Sequence, residues 1–495
     1  MGIDIDRVEF NQSDFIQFQH KLKVQLAALK TILVNPSFGN TSTSIGAELE
    51  LYIVDNNGRP LPRNETILEL ANNPLLTPEL NTYNLEYNLE PCPINKQPFT
   101  SLETAIVNEL KELNSHAASI DGRLVAIGIL PTLKPEDFGP HSMTQRKRYH
   151  ALVNQLIRAR GGDFKIDIDG HNPLKFNLAD ITLEGANTSL QIHYPVSPAD
   201  YVDVYNSMQL MTPLAIAVGA NSPTLFGHQL WDETRIPLFK QSIDTRHIDR
   251  YQWNEPARVN FGHGWLRKSA FELFSQSVQL YQPILPICTD DIANSIAKDQ
   301  LPNLDELQLH LGTVWLWNRP VYDCNNQGQL RIEMRALPSG PSAIDMMANA
   351  AFLIGLAEGN KPYIDEQLST LPFQTAEYNF YRAAQFSFDA QLIWPQKEGG
   401  YKQQAIVDII DEQLSTAQYG LESIGINQHE IDRYLGVITN RSAKRQNGAV
   451  WQKQTITKFH SRTNKKEALH QMLECFIHNS NTNTPIAEWK VGEKI

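Results

Sequence analysis

Cysteine is scarce in this sequence. Four residues, Cys92, Cys288, Cys324 and Cys475, are spread over 495 positions, and none forms a Cys-x-x-Cys pair. That spacing argues against a disulfide framework or a zinc–thiolate site, and it fits reduced thiols in a cytoplasmic protein. Long apolar runs are also missing. The longest, residues 210–220 and 346–357, are too short to span a bilayer and read as buried helices, so no membrane partner is expected. The opening MGIDIDRVEF holds no apolar signal core, and Asp6 stands where an N-myristoylation motif has Ser or Thr.

Positive charge is in deficit. Lys and Arg number 43 against 55 Asp and Glu, for a net charge of -12. Nucleic-acid backbones need clustered cations, so no nucleic-acid partner is expected. A nucleotide held by metal ions and a few local arginines stays compatible with this charge. Familiar catalytic motifs are absent as well. There is no G-x-x-x-x-G-K-[ST] loop, no G-x-G-x-x-G, no H-E-x-x-H and no G-x-S-x-G. An enzyme of this sequence that used ATP would have to hold the phosphates through metals and arginines.

What is present is a globular composition, 41% hydrophobic and 20% charged. The length fits one large enzyme domain or two merged ones. Periodicity predicts helices over residues 15–33, 102–118 and 143–160, the last basic and stopped by Gly161-Gly162. Strands are expected at 44–54, 84–90, 124–130, 188–194, 310–317 and 330–336. Turns follow at 56–58 and 325–328. Helices dominate after Pro341, with a break near 395–400. The pattern is α+β, a mostly antiparallel sheet with helices between and after the strands. An N-terminal helical segment, 1–43, should precede a single catalytic domain, 44–495, that is mostly helical from about 341.

Four of these strands divide their side chains in the same way. Ile45, Ala47, Leu49, Leu51 and Ile53 oppose Glu48 and Glu50. Leu85, Tyr87 and Leu89 oppose Glu86, Asn88 and Glu90. Leu190, Ile192 and Tyr194 oppose Ser189, Gln191 and His193. Leu330, Ile332, Met334 and Ala336 oppose Arg331, Glu333 and Arg335. A merely solvated face usually mixes Thr, Ser, Lys and Glu, and lysine is absent from all four. Five glutamates lining one cavity must be neutralised by protons or cations. Oxygen donors with one imidazole suit Mg2+ or Mn2+. Adjacent arginines suit a phosphate or carboxylate presented at the metals.

These segments resemble glutamate–cysteine ligases and related carboxylate–amine ligases. Ser44-Ile-Gly-Ala-Glu48-Leu-Glu50 is similar to the family's opening G-x-E-x-E strand, and Leu85-Glu86-Tyr-Asn-Leu-Glu90-Pro91 to its second acidic strand. Ser189-Leu-Gln191-Ile-His193 is similar to the strand that carries Gln or His toward the metals. Ala220-Asn221-Ser222-Pro223 with Gly227 and Arg235 matches an A-N-S-P…G…R segment, and His310-Leu-Gly-Thr313 with Glu333-Met-Arg335 an H-L-x-T…E-x-R hairpin. Asn379-Phe-Tyr-Arg382-Ala and Arg445-Gln-Asn-Gly448-Ala-Val-Trp-Gln452 resemble later family segments, with Gln385 and Ser387 departing from the pattern.

The resemblance implies a glutamine-synthetase-like fold, in which a curved sheet forms a funnel-shaped active site. It implies Mg2+ or Mn2+, with ATP as co-substrate, and amide formation through an acyl phosphate. Glutamate would be joined to cysteine, as in glutathione biosynthesis, or to another amine. The metal ligands would be Glu48, Glu50, Glu86 or Glu90, His193 and Glu333, with Arg335 acting on the moving phosphoryl group. Substrate would meet Arg235, Gln191 and Asn221, and ATP would meet Arg335 and Arg445. A guanidino-type phosphotransferase and a metal-dependent hydrolase are the alternatives, and an inactive binding protein is a further one.

Overall fold

Alternation along the first strand gives it two different partners, one for each face. The computed structural model describes residues 5, 7–39, 43–246, 255–289, 300–325, 327–396 and 399–493. Its main sheet is built from β1 (Ser44–Asp55), β2 (Leu76–Pro78), β3 (Asn84–Pro93), β4 (Gly122–Val125), β5 (Leu190–Pro195), β6 (Asn318–Asp323) and β7 (Gln329–Met334). The order is β6-β7-β5-β1-β3-β2, with every pairing antiparallel. β4 takes over beside β1 where β5 ends. The sheet is a curled antiparallel half-barrel with many helices around it.

The aliphatic residues of β1, β3, β5 and β7 are buried in one large core. The centre of that core is the helix Ala343–Asn360, buried at every position. Helices Pro98–Ala118, Tyr201–Gly219, Ile406–Ser423 and Gln428–Lys444 pack around it. At its crossing with Ile406–Ser423 the two backbones nearly touch. A methyl group on Gly420 would overlap the Gly355 carbonyl, so only glycine fits there. On the other face of β1, Tyr52 and Val54 continue the row begun by Glu48 and Glu50. They enter a second, smaller core shared with the helices Gly448–His460 and Lys465–Asn481. The second core covers one end of that face, and the acidic residues lie along the rest.

Three sequence expectations shift. Residues 310–317 were expected to be a strand, but they continue from a helix, Asp305–Leu311, and only Trp315–Leu316 is extended, in a two-residue parallel pair. The partner of β7 is β6, whose end lies six residues nearer the turn, at Asp323 rather than Trp317, and residue 326 of that turn lies outside the described residues. The apolar stretch 124–130 is strand only to Val125 and then becomes a buried connection. The basic helix begins at Lys147 and ends at Gly161 (φ 64°), a left-handed C-terminal cap. The break near 395–400 is a hairpin, Gln391–Pro395 with Tyr401–Ala405, and residues 397–398 lie outside the described residues. Among the described residues no helix is long and apolar enough to cross a membrane, and none of the four cysteines is in a disulfide.

Candidate active site

Register decides which polar residues meet. In β1, Glu48 stands opposite Gln191 of β5 and Asn88 of β3, and Glu50 stands opposite Glu86. His193 of β5 stands opposite Glu333 of β7. Two trios result. Glu48, His193 and Glu333 each offer a donor atom within 4.8 Å of the others, and so do Glu50, Glu79 and Glu86.

Gln191 and Arg335 connect the trios. The Gln191 amide donates to Glu50 Oε1 (2.9 Å), and the Ser189 backbone N–H donates to Glu50 Oε2 (2.7 Å). Arg335 donates to both Gln191 Oε1 and Glu333 Oε1. His193 Nε2 lies 3.0 Å from Glu48 Oε1, while His193 Nδ1 and Arg335 Nε are buried without partners among the described residues.

The two trios differ electrostatically. Burial raises the pKa of the Glu333 carboxyl, but Arg319 and Arg335 outweigh it and hold the group well below the usual range. Glu48 is likewise lowered, burial being offset by His193. In the second trio burial wins. Glu50 is raised despite Arg335 and Arg235, and Glu79 is raised strongly by burial and by Glu86. Burial and the charges of Glu48 and Glu50 push Glu86 up to about 7. Nearby Glu184 is pushed up to about 8 by burial and by Glu50. Without added positive charge, part of this cluster must keep its protons. Hard carboxylate oxygens with one imidazole fit Mg2+ or Mn2+ better than a softer metal.

Other expected site residues belong to neither trio. Glu90 shares a face with Glu86 by simple alternation, yet it is exposed and belongs to neither trio. Two residues of β3, Glu90 and Pro91, face the single Gly46 of β1, and this bulge turns Glu90 out of the row. Arg235 is buried. Its guanidinium donates to Glu233 (3.1 Å) and to the Ala336 carbonyl (3.2 Å), so it braces the end of β7.

Asn221, expected to meet substrate, is wholly buried. Its amide donates to the Ser339 carbonyl (2.8 Å), and Gln452 donates to its side-chain oxygen (2.8 Å). The Ser339 hydroxyl in turn donates to the Glu50 carbonyl (2.7 Å), so this chain of bonds ties the C-terminal helix Gly448–His460 to β1. A methyl group at Gly448 would overlap the Asn221 side chain. Arg445 is half exposed and pairs with Asp389 (2.7 Å), caps no trio and is not among the trio residues. His310 is buried in its helix and donates from Nε2 to the Ser277 carbonyl (2.8 Å).

Sequence reasoning missed Glu79, Glu184 and Arg319. Glu79 had a signal: Thr77 and Glu79 alternate with Leu76, Pro78 and Leu80, and Thr77 pairs opposite Glu86. Arg319 lay just beyond the misplaced strand. It stands opposite Glu333 and holds it with two hydrogen bonds, of 2.6 and 3.0 Å.

The sequence profile of glutamate–cysteine ligase family 2 matches residues 44–399. The chain belongs to glutamate–cysteine ligase family 2. Members of this family are ATP-dependent carboxylate–amine ligases that use divalent metals. Among solved structures, the glutamate–cysteine ligase of Francisella tularensis in complex with AMP superposes with a TM-score of 0.51 at 11% identity, over 90% of each chain, and shares the fold. A bifunctional glutathione synthetase from Pasteurella multocida gives 0.42 at 11% identity, over 93% of this chain and 55% of its own. The ligase PafA, in complex with the prokaryotic ubiquitin-like protein Pup, gives 0.36 at 11%, over 85% and 69%. No curated protein sequence matches the chain.

Proposed function

We propose that this family member uses ATP to join the side-chain carboxylate of glutamate to an amine, with cysteine as the default acceptor. The observation that carries the proposal is the pair of acidic trios on one sheet face, with Arg335 between them. Glu48, His193 and Glu333 would hold one divalent ion, and Glu50, Glu79 and Glu86 a second. Such ions would supply charge neutralisation at the transferred phosphoryl group.

The chain's own groups position the reactants. Arg335 faces the moving γ-phosphoryl group and stabilises its charge. Arg235 fixes the end of the strand that carries Arg335, and Gln191 keeps Glu50 and Arg335 in register. The phosphoryl group passes to a carboxylate oxygen and ADP leaves. The amine nitrogen then attacks the acyl carbon, inorganic phosphate leaves, and the nitrogen loses its extra proton. With cysteine as acceptor the product would belong to glutathione biosynthesis.

The test is to incubate the protein with Mg-ATP and glutamate, add cysteine or a panel of amines, and follow ADP and product mass. Amine-dependent ADP with one amide per ADP is expected. ADP formation indifferent to every amine would sink the ligase reading and favour a phosphotransferase.

A further inference from the structure

Glu333 has more positive charge around it than its own charge needs. Its carboxylate takes three hydrogen bonds, from Arg319 Nε (2.6 Å), Arg319 Nη2 (3.0 Å) and Arg335 Nη1. A carboxylate offers about four acceptor positions, so little of this one remains for a cation. Yet Glu333 is one of the three side chains whose donor atoms converge with Glu48 and His193. A cation bound there competes with two guanidinium groups for this carboxylate.

The two arginines are not equally held. Arg335 also bonds Gln191, feels the charges of Glu50 and Glu48, and sits on a strand end braced by Arg235. Arg319 lies on the edge strand β6, and its side-chain hydrogen bonds among the described residues go to Glu333 alone. Its side chain is about one-fifth exposed and can reach solvent.

We propose that Arg319 is the counter-ion of Glu333 when the site holds no cation, and that it passes to a substrate oxyanion when a divalent cation takes Glu333. This rests on the reading of Glu48, His193 and Glu333 as a cation site. The guanidinium fork matches the oxygens of a phosphate or a carboxylate. Cation and anion then bind with positive coupling, because each frees the partner the other needs. The order also keeps a buried carboxylate from standing unpaired at any stage.

The test uses the full chain and Mn2+ alone, titrated by calorimetry into wild type, Arg319→Ala and Arg319→Lys. Arg319→Ala should bind Mn2+ about tenfold tighter than wild type, within the range of ordinary coupling energies. Inorganic tripolyphosphate or glutamate should tighten Mn2+ binding to wild type about tenfold more than to Arg319→Ala. Arg319→Lys should keep a weakened coupling. If only the tripolyphosphate coupling falls in Arg319→Ala, the oxyanion is a phosphate; if only the glutamate coupling falls, it is a carboxylate.

Melting temperatures guard against a folding artefact. Cation-free Arg319→Ala should melt below wild type, and saturating Mn2+ should close the gap. Equal or weaker Mn2+ binding by Arg319→Ala, or both couplings undiminished in it, overturns the proposal. If wild type itself binds no Mn2+, the cation reading falls first and takes this inference with it.

Discussion

Glu86 and Glu90 are four residues apart on one strand, and alternation alone makes them equivalent. The bulge at Glu90-Pro91 separates them: Glu86 is buried opposite Glu50, while Glu90 is exposed. Replacing a ligand in a buried carboxylate cluster should be far costlier than replacing a solvated acid. Glu86→Gln should lower turnover on the order of 100-fold and weaken Mn2+ binding, and Glu90→Gln should stay within about twofold of wild type. Steady-state kinetics with Mn2+ titration checks this, and equal losses in the two variants would contradict it. At this scale the legible residues were those on regular strands, Glu48, Glu50, Gln191, His193, Glu333 and Arg335. Glu79 and Glu184 were not read, because they sit past a three-residue strand and in a 3-10 turn. There the pattern is too short to assign a face.

At the scale of elements, the displaced strand is the instructive case. His310-Leu-Gly-Thr313 to Trp317 is apolar and aromatic enough to read as strand, and a short apolar run does not distinguish strand from buried helix. Packing decides it: Leu307, Leu309 and Leu311 enter the large core and His310 goes with them. Moving the strand to β6 is what brings Arg319 opposite Glu333.

The same burial makes His310 a pH-sensitive element of stability. Burial lowers its pKa from 6.5 to about 4, so the folded protein keeps it neutral where the unfolded chain protonates it. Unfolding therefore takes up a proton in that window. The contribution is fully present above pH 6.5 and is lost as pH falls toward 4. Between pH 7 and 5 it amounts to about 2 kcal/mol. Denaturant unfolding of wild type and His310→Gln at both pH values should show the variant losing about that much less. Parallel losses would contradict it.

The whole molecule is one acidic sheet face with a core on either side. The large core fixes the strands from behind, and the smaller one closes one end of the polar face. The C-terminal helices reach β1 through Gln452, Asn221 and Ser339, although the family profile ends at residue 399. The fold class was legible because four one-sided strands need a core on one side only. The second core was not, since it gathers residues from 52 to 491 that share no local pattern.

On the proposed function, this face transfers phosphate to a carboxylate before an amine attacks. The most direct measurement uses glutamate labelled with 18O in its side-chain carboxylate, Mg-ATP and an accepted amine, with mass spectrometry of the released phosphate. An acyl-phosphate route leaves one 18O in phosphate for each amide formed. Unlabelled phosphate accompanying amide formation would contradict it.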